Sequence, residues 1–313
     1  MKTKLFAVSG VLLALFAFSN GSTSCADNLF VANTDGNGIE EFSSAGVGTG
    51  FASGGSISQF PSGLWQPWGL AFDSDGNLYV ANSYSGTIEE FNSSGVGTNF
   101  ASGLGNPKGL AFYAGNLYVS IFPNANQPTT PPDIYKFNSS GVGVAIATLS
   151  SPMGLAFDSA GNLYVANEGD GTIEKFNSSG MGTVFASGLD APWALAFDNA
   201  GNLFVASFNN NTVEKFNSLG TDLGTFASAS SGLNGPTALA FDSAGNLYVA
   251  NYNNSSIEEF NSSGTDLGVF ASAGSGLDGP MGLAFETIPE PSSLLLITFG
   301  ALLLWPLLRS KRV

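Results

Sequence analysis

The side chains in this sequence that could recognise a ligand recur at one position, directly after a proline that opens each copy of a repeated phrase. The residue type at that position changes from copy to copy, at intervals of 40, 45, 40, 44 and 44 residues. Aromatic rings and a few polar groups placed together in this way suit the binding of sugars or peptides. The six residues are Trp68, Lys108, Met153, Trp193, Thr237 and Met281.

Composition excludes several kinds of chemistry. The chain has no histidine and a single cysteine, Cys25. Without histidine there is neither imidazole general acid–base catalysis nor histidine ligation of a metal. The net charge of −15, with no basic stripe, makes nucleic acid an unsuitable partner and disfavours anionic membrane surfaces.

Aspartates in a D-x-x-G-N turn are the candidate calcium ligands, most of all in the Asp-Ser-Asp-Gly-Asn segment at 73–77. A calcium loop of the EF-hand type needs a glutamate at its twelfth position, where this chain has Tyr84. We therefore expect turn stabilisation by the aspartate side chains and no cofactor, with at most weak calcium association. The turn aspartates are Asp73, Asp158, Asp198 and Asp242.

The elements that position these residues follow from the repeated phrase, G-L-A-F-D-x-x-G-N-L-Y-V-A-N, then I-E-E-F and a Ser/Gly-rich turn. Within one copy, the pattern predicts strands at 69–72, 78–81, 87–91 and 97–101. The second strand is apolar on both faces, which is typical of a strand packed between neighbouring sheets. A repeat of about 40–45 residues with four strands suits one blade of a β-propeller.

The phrase occurs six times, and its sixth copy is divided between the two ends of the chain. Residues 28–33 begin in the middle of the phrase, and residues 282–285 supply the missing first piece. A ring closed by pairing the last strand into the first blade would produce this offset. We predict an all-β, six-bladed β-propeller closed in that way, followed by a short C-terminal hydrophobic helix.

In such a ring the variable residues lie at the mouth of the central channel. Trp68 and Trp193 belong to blades two and five, and so they face each other. The same face should also carry Trp65 and the insertion at 121–133. Two interpretations stay open: the rim is a platform for a sugar or peptide, or the tryptophans pack under neighbouring loops.

The phrase resembles the NHL repeat, P-x-G-[IL]-A-[VF]-D-x-x-G-N-[IL]-Y-V-A-[DN], over residues 27–287. The resemblance implies a propeller, typically of six blades. Family members often carry arginine in the third strand, whereas this chain carries glutamate there, which disfavours the RNA binding known for some NHL proteins. These glutamates are Glu40, Glu89, Glu174, Glu214 and Glu258.

Some six-bladed propellers are enzymes, and two groups of them bear on this chain. Streptogramin lyase-like and amidating lyase-like members rely on histidine, which is absent. Gluconolactonase-like members hold a divalent cation with acidic and amide side chains, but the inner strands here are nearly uniform Gly/Ala-Leu-Ala-Phe. We expect a non-catalytic binding or scaffold propeller without a metal site, and the alternative is a metal-dependent hydrolase or lactonase of the gluconolactonase type.

The N-terminus is predicted to be a targeting segment. Residues 1–26 have a basic start, an apolar run at 5–18 and small residues before a cleavage site after Ala26, as in a secretory signal peptide. Cleavage there removes Cys25; lipidation of Cys25 is the other interpretation.

Residues 288–313 contain Pro-Glu-Pro, then the apolar stretch 294–308, then a basic end. This arrangement resembles a PEP-CTERM sorting tail. The resemblance implies recognition by an exosortase and transient anchoring in the inner membrane of a Gram-negative bacterium. The exported chain would then meet extracellular polysaccharide or a surface protein at the cell surface or in the matrix. A plain membrane anchor is the alternative. The signal residues are Pro289, Glu290, Pro291, Arg309, Lys311 and Arg312.

Overall fold

The computed structural model describes residues 27–53, 63–122 and 133–286, which form an all-β, six-bladed propeller. Each blade is an antiparallel sheet of four strands. Helical structure in the described residues is confined to three single turns of 3-10 helix, Glu168–Asp170, Ala229–Ser231 and Ala273–Ser275. The prediction of an all-β, six-bladed propeller is confirmed, while the predicted signal peptide, C-terminal helix and sorting tail lie outside the described residues.

The first half of the described chain forms blades one to three. Blade one takes β1 (Leu29–Asn33), β2 (Gly38–Phe42) and β3 (Gly48–Ser53). Blade two takes β4 (Pro67–Phe72), β5 (Leu78–Asn82), β6 (Thr87–Phe91) and β7 (Gly97–Ala101). Blade three takes β8 (Pro107–Tyr113), β9 (Asn116–Ile121), β10 (Asp133–Phe137) and β11 (Gly143–Thr148).

The second half forms blades four to six and returns to blade one. Blade four takes β12 (Pro152–Phe157), β13 (Leu163–Asn167), β14 (Thr172–Phe176) and β15 (Gly182–Ser187). Blade five takes β16 (Pro192–Phe197), β17 (Leu203–Ser207), β18 (Thr212–Phe216) and β19 (Asp222–Ala227). Blade six takes β20 (Pro236–Phe241), β21 (Leu247–Asn251), β22 (Ser256–Phe260) and β23 (Asp266–Ser272), and the last strand is β24 (Pro280–Phe285).

β24 lies in the sheet of blade one, beside β1. The two strands pair antiparallel, with Phe285 opposite Leu29 and Leu283 opposite Val31. The backbone N–H of Glu286 also donates to the carbonyl of Asn28 at 3.1 Å. One sheet thus contains strands from both ends of the described chain.

Aromatic rings hold neighbouring blades together through a repeated contact. Tyr164 on β13 contacts Phe185 of its own blade edge-on, and it contacts Phe197 of blade five in the same way, at centroid distances of 4.9 Å. Tyr79 lies similarly between Phe100 and Phe112. Such pairs contribute about 0.5–1.5 kcal/mol each beyond the area they bury. The core is therefore a set of interfaces between blades.

The inner strands β4, β8, β12, β16, β20 and β24 surround the channel and approach one another closely. Glycine at the second position after the proline allows this, because a Cβ added at Gly154 would lie 2.6 Å from the carbonyl oxygen of Trp193. Gly69, Gly109 and Gly282 face the next inner strand in the same way, and more closely still. The narrow ring brings the six variable side chains near the axis.

Candidate functional site

The channel mouth is a cavity of about 90 Å³, and all six inner strands contribute to its wall. Each strand supplies the variable residue that follows its proline and the next two residues. The structure thus brings together the set chosen from the sequence: Trp68, Lys108, Met153, Trp193, Thr237 and Met281.

An irregularity in each blade directs the variable residue towards the mouth. In blade five, Pro192 lies opposite Ser207 and Ala194 lies opposite Ala206, so Trp193 is an extra residue in its strand. In blade two the same shift falls between Pro67 and Leu70. A bulge of this kind bends a strand and changes where a side chain points. Trp193 therefore leaves the regular alternation of its strand.

The two tryptophans contact each other across the ring. The ring centroids of Trp68 and Trp193 lie 5.5 Å apart, with their planes inclined at 40°. Trp193 also stacks on Phe208 at 4.1 Å, and its Nε1–H donates to Glu168 Oε1 at 3.3 Å. Both indoles are half-buried. The pair is held by packing on one side and remains partly accessible on the other.

Lys108 is buried beside this pair. Its side chain is only 8% exposed, and Nζ lies 3.1 Å from the ring centroid of Trp68 and 5.8 Å from that of Phe122. Burial lowers the pKa of Lys108 to about 7, against the opposing effect of the negative charge on Glu168. The channel mouth therefore contains an amine that is only partly protonated at neutral pH.

The other three wall residues differ in exposure and in the contacts they make. Thr237 is buried, and its hydroxyl donates to the carbonyl of Pro280 at 2.8 Å, which links blade six to blade one. Met153 is also buried, whereas Met281 is half-buried. The accessible part of the mouth is thus formed mainly by Trp68, Trp193 and Met281, while Lys108, Met153 and Thr237 lie deeper.

Trp65 does not line this cavity. Its ring packs against Tyr84 at 4.0 Å, and its backbone N–H donates to Asn82 Oδ1 at 3.2 Å. Tyr84 is 61% exposed. Trp65 and Tyr84 therefore form a separate aromatic contact in blade two.

Sequence reasoning did not single out three side chains that complete the site, namely Phe122, Glu168 and Phe208, although Phe122 belongs to the insertion 121–133 that it placed on this face. Residues 123–132 of that insertion lie outside the described residues. Each of the three side chains directly follows a second strand, β9, β13 or β17. The residue at that place differs among the copies, as the residue after the proline does. A comparison of the copies at this second position would have pointed to them.

The turn aspartates accept hydrogen bonds from their own turns. Asp73 Oδ1 accepts the backbone N–H groups of Asp75 and Asn77 at 2.9 and 2.8 Å, and Oδ2 accepts the side-chain amide of Asn77 at 2.9 Å. Asp158 and Asp198 do the same, which contributes to the lowering of their pKa values against the effect of burial. In the ranges described, no group of three or more Asp, Glu, Cys or His side chains could hold a metal. The absence of a cofactor stays a prediction.

The repeats match a known family model. The NHL repeat model matches residues 64–91 and 233–260, which lie in blades two and six. The chain carries NHL repeats. No curated protein matches it in sequence.

Three solved structures share the fold at low sequence identity. A chain of the nidogen/laminin complex is 19% identical with a TM-score of 0.69, covering 83% of this chain and 98% of that one. The gluconolactonase XC5397 from Xanthomonas campestris is 20% identical with a TM-score of 0.60, covering 72% and 79%. Virginiamycin B lyase from Staphylococcus aureus is 14% identical with a TM-score of 0.56, covering 76% and 79%. These similarities concern the fold.

Within the described part of the chain, no helix has the length and apolar character needed to cross a membrane.

Proposed function

We propose that this chain is an exported, non-catalytic binding or scaffold propeller, which recognises extracellular polysaccharide or protein at its channel mouth. The observation that carries the proposal is the contact between Trp68 and Trp193, two half-buried indoles from opposite blades. Indole faces beside a few polar groups suit the apolar face of a sugar ring or an extended peptide.

The side chains that line the channel mouth support binding of a ligand through direct side-chain contacts. Its wall consists of six varied side chains above a uniform layer of glycine, alanine and leucine. Trp193 is oriented by Phe208 and Glu168, so a ligand would meet a ring that is already in place. Preorganised aromatic anchors lose little conformational freedom when they bind.

Export is part of the proposal. Residues 1–26 would act as a signal peptide and residues 288–313 as a PEP-CTERM tail read by an exosortase, with residues 27–287 as the propeller domain. The tail would be the only part that meets the membrane, and the propeller would reach the cell surface or the matrix. In this arrangement β24 closes the ring, because its pairing with β1 gives blade one the inner strand that each other blade takes from its own repeat.

A second candidate is a metal-dependent lactonase, which the fold similarity to the Xanthomonas campestris gluconolactonase favours. It would require a cation held by carboxylates and amides of the channel. Lactone hydrolysis that depends on added calcium or magnesium and disappears with EDTA would establish this function.

The binding proposal is tested by measuring the association of chain 27–287 with immobilised exopolysaccharide of the producing organism and with neutral and acidic glycans. We expect saturable binding that weakens about tenfold in Trp68→Ala, which corresponds to about 1.4 kcal/mol. Trp65→Ala is the matched control, because Trp65 packs on Tyr84 away from the cavity. Equal binding by wild type and Trp68→Ala would contradict a site at the channel mouth, and no binding to any glycan would leave a protein ligand.

A further inference from the structure

Lys108 is the one lysine in the described residues that is buried, and it lies at the wall of a cavity. Lys136, Lys175 and Lys215 lie on third strands and are half-buried. Lys175 and Lys215 form ion pairs with Asp158 and Asp198 at 3.8 and 3.6 Å. Within the same ranges, Lys108 has no ion pair.

The surroundings of the amine are aromatic. The face of Trp68 covers Nζ at 3.1 Å, and the ring centroid of Phe122 lies 5.8 Å from Nζ. The indole face attracts the ammonium form of Lys108, whereas burial away from water disfavours that form. No ion pair offsets the burial, and a lysine desolvated in this way can serve as a nucleophilic amine. At pH 7, a pKa of about 7 leaves about half of the Lys108 side chains neutral, against about one in 2,500 for an ordinary lysine.

We propose that Lys108 is a reactive amine that captures a small aldehyde in the channel mouth as a reversible imine. This activity goes beyond the binding function proposed above and does not depend on it.

The step needs no oxidant, reductant or metal. The lone pair of Nζ attacks the aldehyde carbon, and the carbonyl oxygen becomes the hydroxyl group of a carbinolamine. One amine proton has by then moved to that oxygen. The carbinolamine then loses its hydroxyl group together with the remaining N–H proton as water, which forms the C=N bond. Hydrolysis by one water reverses the reaction and returns the aldehyde.

Glu168 is the acidic group whose charge acts on Lys108. Its Oε1 accepts the hydrogen bond of Trp193 at 3.3 Å, which orients the carboxylate. The carboxylate lies beyond ion-pair distance of Nζ, so the protons of the reaction would pass through water.

The size and charge of the mouth restrict the aldehyde. The cavity of about 90 Å³ has room for only a few water-sized groups, so the molecule has few non-hydrogen atoms. No second cationic side chain lines the cavity, so its wall has no separate charge to pair with the carboxylate of a substrate. The structure therefore favours a short uncharged aldehyde over a 2-oxo acid.

The test is reductive trapping on the full-length protein. The protein is incubated at pH 7 with glycolaldehyde and cyanoborohydride, digested, and mapped by mass spectrometry for lysines that carry a hydroxyethyl group. We expect Lys108 to be modified at least tenfold faster than Lys136, Lys175 and Lys215. Similar rates at all four lysines, or no modification of Lys108, would overturn the proposal.

Two variants sharpen the result. Lys108→Arg should lose the fast modification while the other lysines react as before, and the matched variant Lys215→Arg should keep it. The peptide map of the wild-type protein decides the question even if a variant fails to fold, because the four lysines are compared within one molecule.

Discussion

The clearest quantitative prediction concerns Gly154, where the inner strands of blades four and five meet. An alanine methyl group there would lie 2.6 Å from the Trp193 carbonyl oxygen, 3.0 Å from Ala194 Cα and 3.3 Å from the Leu195 nitrogen. All three are backbone atoms, so no side-chain rotation can relieve the clash. Ordinary contact needs about 3.5 Å, so the strands must separate by roughly 0.5–1 Å.

Overpacking of this kind costs about 1–3 kcal/mol. In a domain of this size, a loss of about 2 kcal/mol lowers the melting temperature by about 4–8 °C. Gly154→Ala should therefore melt several degrees below wild type in a thermal scan followed by circular dichroism. Blades five and six carry Ala194 and Ala238 at the same position, so the effect arises from local spacing.

Gly50→Ala is the matched control. Gly50 lies on the outer strand β3, and the nearest atoms to an added Cβ are the carboxylate oxygens of Glu40, at 3.9 Å. Replacing a glycine where the methyl group fits is neutral or stabilising by up to about 1 kcal/mol. If Gly154→Ala and Gly50→Ala melt within about 1 °C of each other, the close approach of inner strands does not limit stability.

Three further predictions concern the ring closure, metals and pH. A chain that ends at Pro280 should melt far below one that ends at Thr287, because it loses most of β24 and exposes strand edges in blade one. Equal melting temperatures of the two chains would contradict closure of the ring by β24. EDTA should leave the melting temperature unchanged, and a large drop would support a metal site. The pKa of Lys108 is lower in the folded chain than in the unfolded one, so the unfolded state binds more protons between about pH 7 and 10. The free energy of unfolding should therefore rise with pH in that range, by up to about 1.4 kcal/mol per pH unit. Lys108→Met should remove that slope in urea titrations at pH 7 to 9.5, and an unchanged slope would show that Lys108 titrates normally.

Much of the fold could be predicted from the sequence because the repeat is regular. The third and fourth strands predicted for blade two, Thr87–Phe91 and Gly97–Ala101, have the observed bounds. The inner strand was predicted to begin at residue 69, whereas β4 begins at Pro67. The difference lies at the bulge before Leu70, since an apolar pattern does not reveal an extra residue in a strand.

The site could be predicted only in part. The variable position after each proline identified the six wall residues, because differences among internal copies stand out in one sequence. The sequence could not show that Lys108 lies beneath an indole, or that Glu168 orients Trp193, because both contacts join different blades. The position of Trp65 in its loop predicts that it lies on the same face as the channel mouth. In the structure its ring contacts Tyr84, apart from the cavity.

The most direct test of the central claim is a tryptophan-fluorescence titration of chain 27–287 with the exopolysaccharide and simpler glycans. This chain lacks Trp305, so its indoles are Trp65, Trp68 and Trp193. Ligand binding at the channel mouth predicts a saturable spectral shift that persists in Trp65→Ala and disappears in Trp193→Ala. A flat response, or a shift that depends only on Trp65, would contradict a binding site formed by Trp68 and Trp193.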